Sequence, residues 1–132
     1  MDPDGEEAAG LQTEEIFTAL SRIRVKCAQP EEADLHAAVA RALEDAGIAF
    51  VHEARIAPHC RVDFLCGTVA IEIKKQRVPR ARLLPQCTRY LASPLVEGLI
   101  LISPAAASLP ASIGGKPLHP YSLNRLWGVA LP

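Results

Sequence analysis

Arg61-Val62-Asp63-Phe64-Leu65-Cys66-Gly67-Thr68-Val69-Ala70-Ile71-Glu72-Ile73-Lys74-Lys75 is the stretch whose reading decides the fold. Two apolar, β-branched segments meet at a Gly-Thr pair, the signature of a β-hairpin. A two-residue loop at Gly67 and Thr68 pairs Cys66 with Val69 and so sets the register. Asp63 then falls opposite Glu72, and Arg61 opposite Lys74. Alternation places Val62, Phe64, Cys66, Val69, Ile71 and Ile73 on the core face, and Arg61, Asp63, Leu65, Ala70, Glu72 and Lys74 on the other. Two carboxylates directly across a strand pair repel, with Cβ atoms only about 5 Å apart. A cation between them removes that conflict, so the pattern points to a hard-metal site with an ammonium group beside it.

Asp63, eight intervening residues, then Glu72-Ile73-Lys74 resembles the catalytic core of the PD-(D/E)XK nuclease superfamily. Downstream, Gln86-Cys87-Thr88-Arg89-Tyr90 is similar to the Gln-x-x-x-Tyr element of the RecB-like branch. Residues four apart share a helix face, so Gln86 and Tyr90 are expected to point together, with Arg82 and Arg89 near that stripe and Leu84, Cys87 and Leu91 buried opposite. The resemblance covers roughly residues 30–102. It implies an α/β fold with a restriction-endonuclease-like core: a mixed sheet of four to five strands flanked by helices, in the order αβββαβ.

The resemblance also implies a site. Mg²⁺, with Mn²⁺ as a substitute, is held by Asp63, Glu72 and the Ile73 carbonyl, with one further acid, for which Glu32 at the start of the first core helix is the candidate and Glu53, mid-strand before the hairpin, the rival. Lys74 orients the attacking water or neutralises developing charge, Gln86 holds the lysine or a phosphate oxygen, and Tyr90 positions the backbone or stacks on a base. The implied activity is hydrolysis of DNA phosphodiester bonds by a small stand-alone nuclease of phage or prophage type, acting as a homodimer or through a targeting protein partner. The alternatives are a nuclease-fold module that binds DNA or a protein without catalysis, and a structural or regulatory protein acting through its acidic tail and first helix.

Charge supports a polyanionic substrate. The net charge is −1, but residues 1–15 hold six acids (Asp2, Asp4, Glu6, Glu7, Glu14 and Glu15) and no base. The remaining chain carries fourteen bases against nine acids. Between Ile73 and Val96 lie Lys74, Lys75, Arg77, Arg80, Arg82 and Arg89 with no acid. A one-sign stretch beside a metal site suits a nucleic-acid backbone, so Lys75, Arg77, Arg80, Arg82 and Arg89 are the expected DNA contacts.

At 132 residues the chain is expected to be one domain, residues 15–132, behind a disordered acidic tail over 1–14. Apolar residues make up 49%, yet no stretch reaches the ~20 needed to cross a bilayer, and no basic segment precedes an apolar run as in a secretion signal. Cys27, Cys60, Cys66 and Cys87 are scattered, which suits reduced thiols and a cytoplasmic location. His52, His59, Cys60 and Cys66 match no common zinc spacing.

The rest reads by periodicity. Glu15–Lys26 suggests a short amphipathic helix. Pro30 opens a stronger one with Leu35, Val39, Leu43 and Ala46 as its apolar stripe and Gly47 as its stop. Ala49–Ile56 and Leu95–Ile102 read as strands, and residues 104–115 as a connection. Tyr121–Leu123 and Trp127–Leu131 read as short terminal strands. Pro85 either kinks the second core helix or starts it.

Overall fold

A computed structural model describes residues 3–25, 29–104 and 108–127, with side chains from Gln12 onward. The elements run α1 (Pro3–Ser21), α2 (Glu32–Asp45), β1 (Val51–Ala57), β2 (Cys60–Cys66), β3 (Val69–Ile73), α3 (Arg80–Leu91), β4 (Gly98–Ser103), β5 (Ser112–Ile113), β6 (Lys116–Ser122) and α4 (Leu123–Trp127). The fold is α/β. Among the described residues the sheet has six strands in the order β1-β2-β3-β4-β6-β5, more than the four to five expected. β1, β2 and β3 form an antiparallel meander, while β3–β4 and β4–β6 pair in parallel.

The central hairpin forms in the register its sequence requires: Cys66 pairs with Val69, Leu65 with Ala70 and Phe64 with Ile71. Gly67 has φ +58°, and positive φ at the first central position is what a two-residue loop matching strand twist demands of glycine. A Cβ there would also meet the Gln12 side chain, so α1 closes over the turn.

Helices cover both faces of the sheet. On one face α1, α2 and α4 bring Ile16, Leu20, Leu35, Val39, Leu43 and Trp127 against Phe64, Cys66, Val69, Ile71, Ile73, Ile100 and Ile102. On the other, α3 brings Leu83, Cys87, Tyr90 and Leu91 against Ala70, Leu99, Leu101 and Leu118. Every residue of β3 is therefore buried, Ala70 and Glu72 included, where the sequence suggested an open polar face. Val62 is a second correction, because it packs in the α3 cluster with Ala54, Ile56 and Cys60. The β2–β3 ladder stops at Phe64, and beyond that point the β1–β2 arm belongs to the other layer.

α2 starts at Glu32, two residues later than Pro30 suggests. Glu31 is the N-cap, and Asp34 Oδ2 accepts its N–H at 2.8 Å. Gly47, at φ +71°, ends the helix: Ile48 N–H reaches Leu43 O at 2.9 Å and Gly47 N–H reaches Glu44 O at 3.0 Å, the paired bonds of a Schellman stop. α1 begins at Pro3, so helix occupies residues 3–14, where an irregular tail was expected. Its C-terminal half is anchored by buried Thr13, Ile16, Ala19 and Leu20, which gives the preceding turns a template to extend. Trp127 lies in α4 instead of a strand, and its Nε1–H donates to Leu20 O at 2.9 Å. Residues 128–131 of the expected terminal strand, and Cys27, lie outside the described residues; Cys60, Cys66 and Cys87 are free thiols. Among the described residues no helix is long and apolar enough to cross a membrane.

α3 runs straight through Pro85 from Arg80, with Pro79 at its N-cap. A proline at the sixth helical position removes only the bond to the carbonyl four residues back, close to the helix start, and the buried stripe below it holds the helix together. That stripe is Leu83, Cys87, Tyr90 and Leu91, so Leu83 replaces the expected Leu84, and Tyr90 is on the buried side.

Candidate metal centre

The β1–β2–β3 meander lines up three acids. The register that pairs His52 with Phe64 and Ala54 with Val62 sets Glu53 against Asp63, and the one that pairs Phe64 with Ile71 sets Asp63 against Glu72. At the Asp63–Glu72 step, side chains replace the ladder. Asp63 N–H donates to Glu72 Oε1 at 3.0 Å, and Ile73 N–H donates to Asp63 Oδ2 at 2.8 Å. The strands open just enough to admit two carboxylates, whose own oxygens satisfy the backbone donors freed by the opening.

Glu72 is only 5% exposed, and its other oxygen is held from two directions. Tyr90 OH donates to Oε2 at 2.9 Å from α3, and Lys74 Nζ lies 3.1 Å from the same atom. Burial, followed by the Glu72 charge, pushes the Tyr90 hydroxyl well above its ordinary range, so it stays a proton donor. Asp63 is less well compensated. Burial and then the neighbouring Glu72 push its carboxyl up to about 8, against the lowering effect of the Ile73 N–H. Without a cation, burial and the Glu72 charge therefore favour a proton on this carboxyl pair.

α2 delivers the next donors. Leu35, His36, Val39 and Leu43 are its buried residues, and His36 stands over the acid row. His36 Nε2 lies 3.6 Å from Asp63 Oδ2 and 3.7 Å from Glu32 Oε1, one helical turn back. The nitrogen is buried and has no hydrogen-bond partner. On the ring's other side, Nδ1 is 2.9 Å from His52 Nε2 and 3.8 Å from Glu53 Oε1. Phe64 supports both imidazoles, stacked on His52 with centroids 4.7 Å apart and tilted to His36 at 5.6 Å. Glu53 has φ +55°, a conformation L residues seldom adopt, and it breaks the strand alternation. His52 and Glu53 consequently approach the same histidine, although adjacent strand residues were expected to point apart.

Two groups able to hold a metal ion result: Glu32, His36 and Asp63, and His36, His52 and Glu53. Glu32 and Asp63 meet as the sequence suggested, and Glu53 also reaches the site. His36 was not singled out in the sequence. Its signal was modest: Glu32 and His36 are spaced for one helix face, and His36 lies in register with the Val39–Leu43 stripe. Glu72 and Lys74 sit beside the first group, with Glu72 engaged by protein donors. Ile73, 2% exposed, lines with Glu31, Glu32, Glu72, Lys74 and Lys75 the cleft that opens over the site.

The remaining candidates are spread more widely. Gln86 does not bond Lys74; its Oε1 is buried and without a partner. Lys75 lies 3.9 Å from Glu31, Arg80 donates to Ser108 O at 2.9 Å, and Arg77, Arg82 and Arg89 are exposed. Cys60 and Cys66 are buried in opposite core layers, and burial pushes the Cys66 thiol up to about 12, so neither joins a metal group. Compared with family models, curated proteins and solved structures, the chain matches none.

Proposed function

We propose that the protein is a metal-dependent nuclease with a restriction-endonuclease-like core, hydrolysing DNA phosphodiester bonds at the row of Glu53, Asp63 and Glu72. The observation that carries this reading is the meeting of Asp63 with Glu32 and the unpartnered His36 Nε2, immediately beside Glu72 and Lys74. The succession α2-β1-β2-β3-α3-β4 agrees with the αβββαβ order of the PD-(D/E)XK type.

The donors fit a divalent cation. Two carboxylates and one imidazole suit Mn²⁺ as well as Mg²⁺, and a bound cation would offset the burial and the Glu72 charge that raise the Asp63 carboxyl. Asp63, Glu32 and His36 would hold it, with Glu72 and the Ile73 carbonyl adjoining. A cation there supplies Lewis-acid polarisation of a phosphate and a more acidic water. The chain's own groups do the rest. Lys74, anchored by Glu72, sets a fixed positive charge where the phosphate gains negative charge. Tyr90, donating to Oε2, holds Glu72 in place. The exposed Arg77, Arg82 and Arg89 extend along the β3–α3 connection and α3, where a nucleic-acid backbone would lie.

A binding module without catalysis is the second reading, favoured by the fact that both Glu72 oxygens are already satisfied by protein donors. One experiment separates them. Purified protein is incubated with linear, single-stranded, circular and branched DNA in Mg²⁺, Mn²⁺ or chelator, beside folded Asp63→Ala and Lys74→Ala variants. Cation-dependent cutting that falls at least ~100-fold in both variants supports the nuclease. DNA binding without cutting, unchanged in both variants, leaves the module.

A further inference from the structure

His36, His52 and Glu53 make a second constellation with different chemistry from the acid row. The His36 Nδ1 to His52 Nε2 distance is 2.9 Å, and Glu53 Oε1 is 3.8 Å from the first nitrogen and 3.6 Å from the second. Ligands of a tetrahedral zinc ion, at bond lengths near 2.05 Å, are separated from one another by about 3.3 Å. The three edges straddle that value. Two nitrogens and one oxygen are also a donor set for a borderline ion, where Mg²⁺ takes oxygens in an octahedron. We propose that His36, His52 and Glu53 form a binding site for a transition-metal ion of the Zn²⁺ class, its fourth position open to solvent.

Proton placement supports the assignment. A neutral imidazole has one N–H. With His36 Nδ1 and His52 Nε2 turned to an ion, the His36 proton sits on Nε2, the buried atom that otherwise lacks a partner. That N–H faces Asp63 Oδ2 at 3.6 Å and Glu32 Oε1 at 3.7 Å, giving the carboxylate–histidine–metal order that commonly orients a zinc ligand. Phe64 holds both rings, while side-chain exposures of 46% for His52 and 52% for Glu53 give an ion its way in. An ion among Glu32, His36 and Asp63 requires the lone pair on Nε2 instead, so the two groups compete for one histidine. The site does not depend on hydrolysis.

Chelator-treated full-length protein is titrated with Zn²⁺ by calorimetry, and with Co²⁺ by visible absorption. The expected result is one tight site with the intense absorption of four-coordinate cobalt, not displaced by excess Mg²⁺. His52→Ala and Glu53→Gln should each weaken Zn²⁺ at least about tenfold. Imidazole ¹⁵N spectra of the unsubstituted protein provide a reading that needs no variant: Zn²⁺ must shift His52 Nε2 and His36 Nδ1. Absence of a tight site overturns the proposal. So does affinity unchanged by both substitutions, or a Zn²⁺-dependent shift at His36 Nε2 with His52 unmoved, which would put the ion among the carboxylates.

Discussion

Asp63→Asn should make the cation-free protein more stable at alkaline pH while removing a ligand from the acid row. The reasoning starts from the Asp63 carboxyl, raised from 3.8 to about 8 by burial and by Glu72. Between those values the native state holds a proton that the unfolded chain has lost, so stability falls as pH rises through the window. Four units at about 1.4 kcal/mol each set a ceiling of ~6 kcal/mol. Side-chain relaxation and water entry, expressed by an effective dielectric near 20, bring the expected penalty to roughly 2 kcal/mol. Asparagine keeps an oxygen to accept the Ile73 N–H, carries no charge and does not titrate.

Urea unfolding followed by circular dichroism, in chelator at about pH 5 and about pH 8.5, reads the effect. The native protein should lose roughly 2 kcal/mol more than Asp63→Asn across that interval, the other titrating groups being common to both. Divalent cation should return stability to the native protein at the upper pH and do little for the variant, because only the native carboxylate is left short of positive charge. Equal pH slopes for the two proteins would refute the reasoning, since the penalty would then lie elsewhere than at Asp63.

Two further outcomes follow from the same geometry. Tyr90→Phe removes the hydroxyl that donates to Glu72 Oε2 at 2.9 Å, leaving a buried carboxylate one donor short, and should cost about 1–3 kcal/mol in urea unfolding, with no loss expected if that bond is unimportant. Glu53→Gly, at φ +55°, should relieve a strained backbone and raise stability by up to about 1 kcal/mol in chelator. A thermal melt showing lower stability would mean that the Glu53 contacts with His36 and His52 outweigh the strain.

What was legible in the sequence is what a single strand pair determines. Once Gly67 and Thr68 close a two-residue loop, counting outward places Asp63 against Glu72, because any one-residue slip would turn Phe64, Cys66 and Ile71 out of the core. The layer beyond was hidden. That β3 is covered on both faces depends on α3 docking across the sheet, and a five-residue strand carrying one glutamate reads the same whether its second face is wet or buried beneath Tyr90. His36 reaches Asp63 only because α2 packs its Leu35–Val39–Leu43 stripe on Phe64 and Ile71, a long-range contact without local periodicity to announce it. Glu53 could be named as the rival acid, but its positive φ could not be read, since tertiary surroundings impose it at a residue with no preference for that conformation. The acids across the hairpin are thus products of local register, whereas His36 and His52 are brought in through docking and strain. The acids of the candidate centre were therefore open to counting along the chain, while the histidines beside them were not.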